Sequence, residues 1–308
     1  METQFKSLLQ VLDYFKDEAT CVNYLAQKRW GDAPACPHCG NVGAYITNRG
    51  YKCKAKECGK KFTVTTGTTF ENTKISLRYW FAAMYLCTAH KKGISSLQLS
   101  RDLNITQKTA WFLLHRIREM LNIASTEILS GTVEVDETYI GGKAANIHKS
   151  KKHNLNYNAK GSNSVNKAMV VGLKERGGNI IVYHVPDNSA ATLKGLVYKH
   201  VGLGSEVVTD EWRAYSGLQG SFQHKVVNHK DGQYVKEGYH TNTVEGFWGH
   251  LKRMIKSTYH RVSPKHLSRY CDEQAFRYNT RDLKDTNRFE GVFKLTDGKR
   301  LTYAKLIS

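Results

Sequence analysis

No apolar run in these 308 residues reaches the roughly 18 positions a membrane span requires, so no membrane association is expected. The opening residues, Met1-Glu-Thr-Gln-Phe-Lys-Ser7, lack the pattern of a secretory leader. Acids are scarce: 27 Asp and Glu stand against 46 Lys and Arg, for a formal charge of +19. That deficit favours a polyanionic partner, nucleic acid first, although some proteins are simply basic. A disulfide framework is poorly served too. Seven cysteines is an odd count, and four of them crowd into one short stretch. Metal binding in a reducing compartment fits better. The expected location is therefore cytoplasmic, close to the nucleoid. No internal repeat is evident.

The length allows two or three domains, and the text changes character three times. Residues 1–30 repeat apolar side chains at helical spacing and predict two short helices. Residues 31–70 are rich in Cys and Lys and poor in apolar bulk. Helical periodicity returns over 71–122. From 123 to 308 come short β-branched runs broken by Gly, Asn and Asp, then long helical text.

The cysteines carry the strongest motif. Cys36-Pro-His-Cys39 is followed by Cys53-Lys-Ala-Lys-Glu-Cys58, and Gly40 and Gly59 close the two pairs. A close pair sets two thiolates on one side of a tetrahedral ion, and Gly permits the tight turn beneath them. The reading is a structural Zn²⁺ ribbon held by Cys36, Cys39, Cys53 and Cys58, with His38 outside the shell. A segment so short and polar needs the metal to fold. Its lysines, from Lys52 to Lys61, either follow phosphates or form a solvated face.

Residues 93–118 predict a helix-turn-helix joined near Asn104-Ile105, with Ser95 and Thr106 as N-caps. Leu97, Leu99, Leu103, Ile105, Ala110, Leu113, Leu114 and Ile117 form the expected core. Gln107, Lys108 and Arg116 form the expected polar face toward double-stranded DNA. An ordinary helical hairpin has the same periodicity.

The fold class expected beyond Ser130 is α/β, an RNase H-like mixed sheet preceded by the zinc ribbon and the helix-turn-helix. Thr132–Ile140 alternates Val133 and Val135 with Glu134 and Asp136, a strand with one polar face. The runs 168–173 and 180–185 flank Gly177-Gly178-Asn179 and predict an antiparallel hairpin. A helix over 190–200 and a strand over 205–209 follow, with Asp210 at the strand end. Asp136 and Asp210 end β-branched runs that would hold them rigidly, as a two-metal phosphodiester site requires. Asn242, Glu245 and Lys252 are spaced by three and seven residues, one helix face. A capping acid with Thr241 or Thr243 would explain Glu245 equally well. The loop from Lys143 to Lys160, with Lys149, Lys151 and Lys152, suits phosphates.

Three blocks together carry a resemblance: Val135-Asp-Glu-Thr-Tyr-Ile-Gly-Gly142, Asp210-Glu-Trp-Arg-Ala-Tyr215 and His240-Thr-Asn-Thr-Val-Glu-Gly-Phe-Trp-Gly-His-Leu-Lys-Arg253. They resemble the blocks of bacterial insertion-sequence DDE transposases of the ISXO/Merlin-like group. The likeness runs from the cysteine cluster to the helical text around Ser263–Asn279. It implies an RNase H-like catalytic domain that cleaves DNA at the element's terminal inverted repeats and joins the 3′-hydroxyl ends to target DNA. It implies Asp136 and Asp210 as Mg²⁺ ligands, with Mn²⁺ as an alternative ion. Glu245 is favoured as the third ligand because it stands seven residues before Lys252, with Asn242 as the other candidate. Lys252 and Arg253 would contact DNA, and a homodimer or higher oligomer would form on it. Two other classes stay open: a DNA-binding regulator, and an RNase H-like nuclease without strand transfer.

Overall fold

A computed structural model of the chain describes residues 5–122, 127–142, 167–227 and 239–308. The chain divides into two compact units, Met1–Leu121 with Asp282–Ser308, and Asn122–Arg281.

In the first unit, helices α1 (Leu8–Tyr14) and α2 (Glu18–Trp30) start where Ser7 and Asp17 accept N–H bonds from Gln10 and Thr20. Strands β1 (Ala44–Thr47), β2 (Gly50–Cys53) and β3 (Lys61–Phe62) make a small antiparallel sheet. Trp30 packs edge-on against Tyr51 and Phe62 of this sheet. Helix α3 (Leu77–Ala89) is buried along most of its length. Helices α4 (Ser96–Leu103) and α5 (Gln107–Met120) meet at Asn104, which takes the left-handed conformation at the α4 C-cap. Ser95 and Thr106 cap them as their chemistry predicts, accepting from Gln98 and Thr109. Leu99, Ala110, Leu113, Leu114 and Ile117 are buried. Leu97, expected with them, is 51% exposed. It lies only two residues before Leu99, a step that turns a helical side chain to another face.

The second unit is built on a five-stranded mixed sheet. Its strands are β4 (Thr132–Ile140), β5 (Ala168–Glu175), β6 (Ile180–Val185), β7 (Glu206–Asp210) and β8 (Gln223–Val227). The spatial order is β6-β5-β4-β7-β8. The first three strands form an antiparallel meander, and β7 and β8 add in parallel beside β4. This is the RNase H-like arrangement. Helix α6 (Ala190–His200), capped by Ser189, packs Leu193 and Val197 against Val133, Val135 and Val207 on one face. Helices α7 (Asn242–Met254) and α8 (Pro264–Asn279) pack Val244, Phe247, Trp248, Leu251 and Leu267 against Val170, Ile180 and Val182 on the other. With helices on both faces, the polar face expected for β4 is not turned to solvent: Glu134 is fully buried. Asp136 lies in mid-strand, because the ladder to β5 runs on to Ile140.

The C-terminal residues do not stay with this sheet, as a single segment 123–308 would require. Asp282–Ser308, with α9 (Asp285–Val292) and α10 (Tyr303–Ile307), returns to the first unit. Phe293 meets Phe81 edge to face at 4.8 Å, and Phe289 joins the same cluster. Burying large aromatic rings together outweighs keeping a short tail near its preceding helix.

Candidate active site and metal centre

The sheet brings the two aspartates together. β4 and β7 are parallel, and Glu134 pairs with Val208. Two residues further along both strands, the same spacing sets Asp136 beside Asp210. β7 ends there, and the N–H of Trp212 turns back onto the Asp210 carboxylate at 3.0 Å. A third acid joins them. One carboxylate oxygen from each of Asp136, Glu137 and Asp210 lies within 4.8 Å of the others. Asp136 shares the side of β4 that packs on α7, whereas Glu137 faces the opposite core, where the buried Tyr215 hydroxyl donates to it. The acids of both faces therefore meet at the strand end marked by Asp210.

Their electrostatics are those of a cation site. Burial pushes the Asp136 carboxyl up to about 6, and the charges of Asp210 and Glu245 add to it against the opposing Trp248 hydrogen bond. Burial pushes Glu137 up to about 7, aided by Asp210 and Asp136 and opposed by the Tyr215 hydroxyl. Burial first, and then the neighbouring negative charges, disfavour the ionised forms of Asp136 and Glu137, and a bound cation would offset both.

Helix α7 carries the remaining acidic candidate. Asn242, Glu245, Lys252 and Arg253 are all exposed on it. Glu245 lies outside the tight carboxylate group but near enough for its charge to act on Asp136. Thr241 occupies the cap position without a side-chain bond to the helix. The capping bonds come from β4 and not from Thr241 or Thr243, the caps of the alternative reading: Glu134 Oε2 accepts the N–H groups of Thr243 and Val244 at 3.1 and 3.2 Å. One turn on, the Trp248 indole N–H donates to Asp136 Oδ2 at 2.8 Å. Gly172, directly across from Asp136 on β5, leaves room for that indole. A β-carbon there would stand 2.7 Å from the ring. Glu137 was marked in the sequence only by its place next to Asp136, Trp248 only by sharing a block with Glu245, and Gly172 not at all. Only the register relates them.

The cysteines form a second, separate ligand set. Sγ atoms of Cys36, Cys39, Cys53 and Cys58 lie within 4.8 Å of one another. The Cys36–Cys58 and Cys39–Cys53 separations are 3.8 and 3.6 Å. A tetrahedral ion with sulfur ligands at ~2.3 Å has an edge of about 3.8 Å, so the donor set fits. Gly40 and Gly59 take positive φ at the two knuckles, and the N–H groups of His38 and Cys39 aim at the Cys36 sulfur. His38 is not in the group.

The DNA-facing expectations divide. Gln107 and Lys108 are exposed at the start of α5. Gln107 bonds the Ser96 hydroxyl at 2.8 Å, and Lys108 lies over the Tyr303 ring. Arg116 is not on that surface. It is buried, donates to the carbonyls of Thr69 and Glu71, and stacks on Trp80 at 4.8 Å. Nine residues beyond Gln107, two and a half helical turns, it falls on the opposite, inward face. Lys149, Lys151 and Lys152, with the rest of the expected basic loop, lie outside the described residues. Among the described residues, no helix is long and apolar enough to cross a membrane.

Clustered acids on an RNase H-like sheet, in a chain that also carries a four-cysteine ribbon, fit the class of DDE-type transposases. Residues 128–279 match the model of the ISXO2-like transposase domain, and residues 16–61 that of the transposase zinc-ribbon domain. A protein of the transposable element ISH50 of Halobacterium salinarum is 31% identical over 269 residues, 83% of this chain and 89% of that one. A transposase-like protein of Haemophilus influenzae is 30% identical over 101 residues, 32% of this chain and 80% of its own. Among solved structures, the Mos1 strand transfer complex aligns over 73% of this chain and 76% of that chain, at 14% identity and a TM-score of 0.28. The chain belongs to the ISXO2-like transposase family.

Proposed function

We propose that the protein binds the ends of its insertion sequence, cleaves a DNA phosphodiester there and joins the freed 3′-hydroxyl to target DNA. The observation that carries this reading is the convergence of Asp136, Glu137 and Asp210 within 4.8 Å, with the charge of Glu245 acting on Asp136. Asp136, Asp210 and Glu245 would hold two Mg²⁺ ions, with Mn²⁺ as a substitute. Such ions, when bound, activate the attacking water or 3′-hydroxyl and stabilise the leaving oxygen. The chain's own groups set the acids in place: Trp248 fixes Asp136 and the Trp212 N–H fixes Asp210. Asn242, one helical turn before Glu245, is the alternative third ligand. Tyr215 does not suit the role of a nucleophile. It is fully buried with its hydroxyl committed to Glu137, and burial first, then the Glu137 charge, holds its proton far above the ordinary phenol range.

Cys36, Cys39, Cys53 and Cys58 would hold Zn²⁺ as a structural ion, since all four ligand positions are filled by protein. Gln107 and Lys108 would read base edges, while Lys252, Arg253 and the lysines 149, 151 and 152 would meet phosphates. Binding of two DNA ends would call for at least a dimer.

The test uses a duplex carrying the element's end, Mg²⁺, and variants Asp136→Asn, Asp210→Asn, Glu245→Gln and Asn242→Ala. Loss of both nicking and end joining in the first three, with Asn242→Ala retaining them, is the expected result. Nicking without joined product in the unmodified protein would favour a nuclease. An Asp136→Asn protein that still cleaves would overturn the mechanism.

A further inference from the structure

Glu134 is one of the most completely enclosed acids among the described residues, and the proposed chemistry leaves it no part beyond the helix cap. It is fully buried. Oε2 accepts the N–H groups of Thr243 and Val244 at 3.1 and 3.2 Å and the Thr243 hydroxyl at 2.5 Å. Oε1 receives the Arg176 guanidinium, through Nε at 3.3 Å and Nη2 at 3.2 Å. The His240 ring nitrogen Nδ1 lies 3.3 Å from the same oxygen. Arg176 also reaches the His240 carbonyl at 3.4 Å. The carboxylate thus ties strand β4, the β5–β6 turn, the residues entering α7 and the first turn of α7.

The spacing shows what this tie achieves. Glu134 and Asp136 lie on one face of β4, about 6.7 Å apart along the strand. Their partners on α7, Val244 and Trp248, are four residues apart, a rise of about 6 Å. The helix is therefore pinned to the strand at two points with matched spacing. Glu245 sits between those points. A single pin would let the helix pivot about Trp248, whereas two pins fix its depth and its rotation relative to Asp136. The dipole of α7 favours a negative group at this end, and Arg176 compensates the buried charge.

We propose that Glu134 is a positioning residue: as a cap supplied from β4, it holds α7 at the depth and rotation that bring Glu245 to the metal ions beside Asp136. The proposal rests on the reading of Glu245 as a metal ligand. Glu134 touches neither metal nor DNA in this scheme. It acts through the helix.

The experiment is a double-mutant cycle on the full-length, zinc-loaded protein, with Glu134→Gln, Glu245→Gln and the pair. The probe is Mn²⁺ alone, followed by titration calorimetry, with the Mn²⁺ requirement for nicking as a second readout. Outer groups that orient metal ligands change affinity by about 10–100-fold when removed. Glu134→Gln should weaken Mn²⁺ binding by about tenfold, and Glu245→Gln by at least as much. In the Glu245→Gln background, Glu134→Gln should add less than about twofold, because the group it positions is gone. A role in fold stability alone would lower the melting temperature and leave Mn²⁺ affinity unchanged, which would overturn the proposal. Full additivity would overturn it as well. If Glu245→Gln binds Mn²⁺ normally, the Glu245 reading fails, and the proposal fails with it. If Glu245→Gln is impaired while Glu134→Gln is normal, only the proposal fails. Should Glu134→Gln not fold, Thr243→Val removes one of the same bonds from the helix side. It must shift Mn²⁺ affinity in the same direction, and an unshifted affinity would overturn the proposal.

Discussion

Replacing Gly172 with Ala tests how the fold builds the acidic site. The added β-carbon would lie 2.7 and 2.8 Å from Cη2 and Cζ2 of Trp248, and 3.2 Å from Cγ2 of Val244. Ordinary carbon contacts fall near 3.5–4.0 Å, so the indole must retreat by about 1 Å. Trp248 is 4% exposed and packed among Phe247, Leu251 and Val170, so a retreat must displace buried neighbours. Its N–H bond to Asp136, 2.8 Å long, would stretch out of range. Overpacking costs about 1–3 kcal/mol, and a buried carboxylate losing its donor costs about 1–3 kcal/mol more. Restricting the unfolded chain returns about 0.4–1 kcal/mol. The net expectation is a destabilisation of about 1–5 kcal/mol, or roughly 3–15 °C for a unit of this size. Thermal melting followed by circular dichroism measures it, and metal-dependent nicking should fall with it. Adding Trp248→Phe should relieve the crowding, recovering much of the stability but not the orientation of Asp136. A Gly172→Ala protein with unchanged melting and nicking would refute the reasoning.

Asp136 and Glu137 are held above the ordinary carboxylate range, so the folded protein keeps protons that the unfolded chain has released. Their contribution is full below about pH 4 and is lost as pH rises through about 6 and 7. Metal-free protein should therefore lose stability across that window in denaturant titrations, Asp136→Asn should lose less, and added Mg²⁺ should restore stability above pH 7. Zinc should be present at one ion per chain by metal analysis, and a strong chelator should abolish the circular-dichroism signal of the ribbon while leaving the melting of residues 122–281 in place. Arg116→Ala should cost about 2–4 kcal/mol in urea unfolding, because the carbonyls of Thr69 and Glu71 lose a buried donor; a folded variant with normal stability but weakened DNA binding would return Arg116 to the DNA surface. Replacing Gln107 and Lys108 with Ala should reduce discrimination between end and random DNA, whereas neutralising Lys149, Lys151 and Lys152 should weaken both equally and lower the salt slope by about 0.9 for each phosphate no longer neutralised. Equal weakening on both DNAs in the first variant would refute the division.

What the sequence determined by itself is what depends on local pattern. The cysteine pairs with their glycines specify the ribbon, because ligand spacing and a tight turn are properties of a few consecutive residues. Ser95 and Thr106 mark helix starts, because a cap bonds two or three positions ahead. The β-branched runs and Gly177-Gly178-Asn179 mark the hairpin, and the two aspartates stand out by their strand setting. Tertiary structure decided what depends on register and face. Whether Glu134 meets solvent or a helix N-terminus, and whether Arg116 points to DNA or to Trp80, follows from which side is covered. Alternation shows only that two sides exist. The same reason hid Glu137, which reaches the acids only at the strand end, and Gly172, whose missing side chain matters only because Trp248 lies across it. The pairing of β4 with β7, distant in sequence, set Asp136 beside Asp210, and the aromatic cluster around Phe81 drew the C-terminal tail back to the first unit. Such arrangements are selected by packing the whole core at once, so no window of the chain contains them.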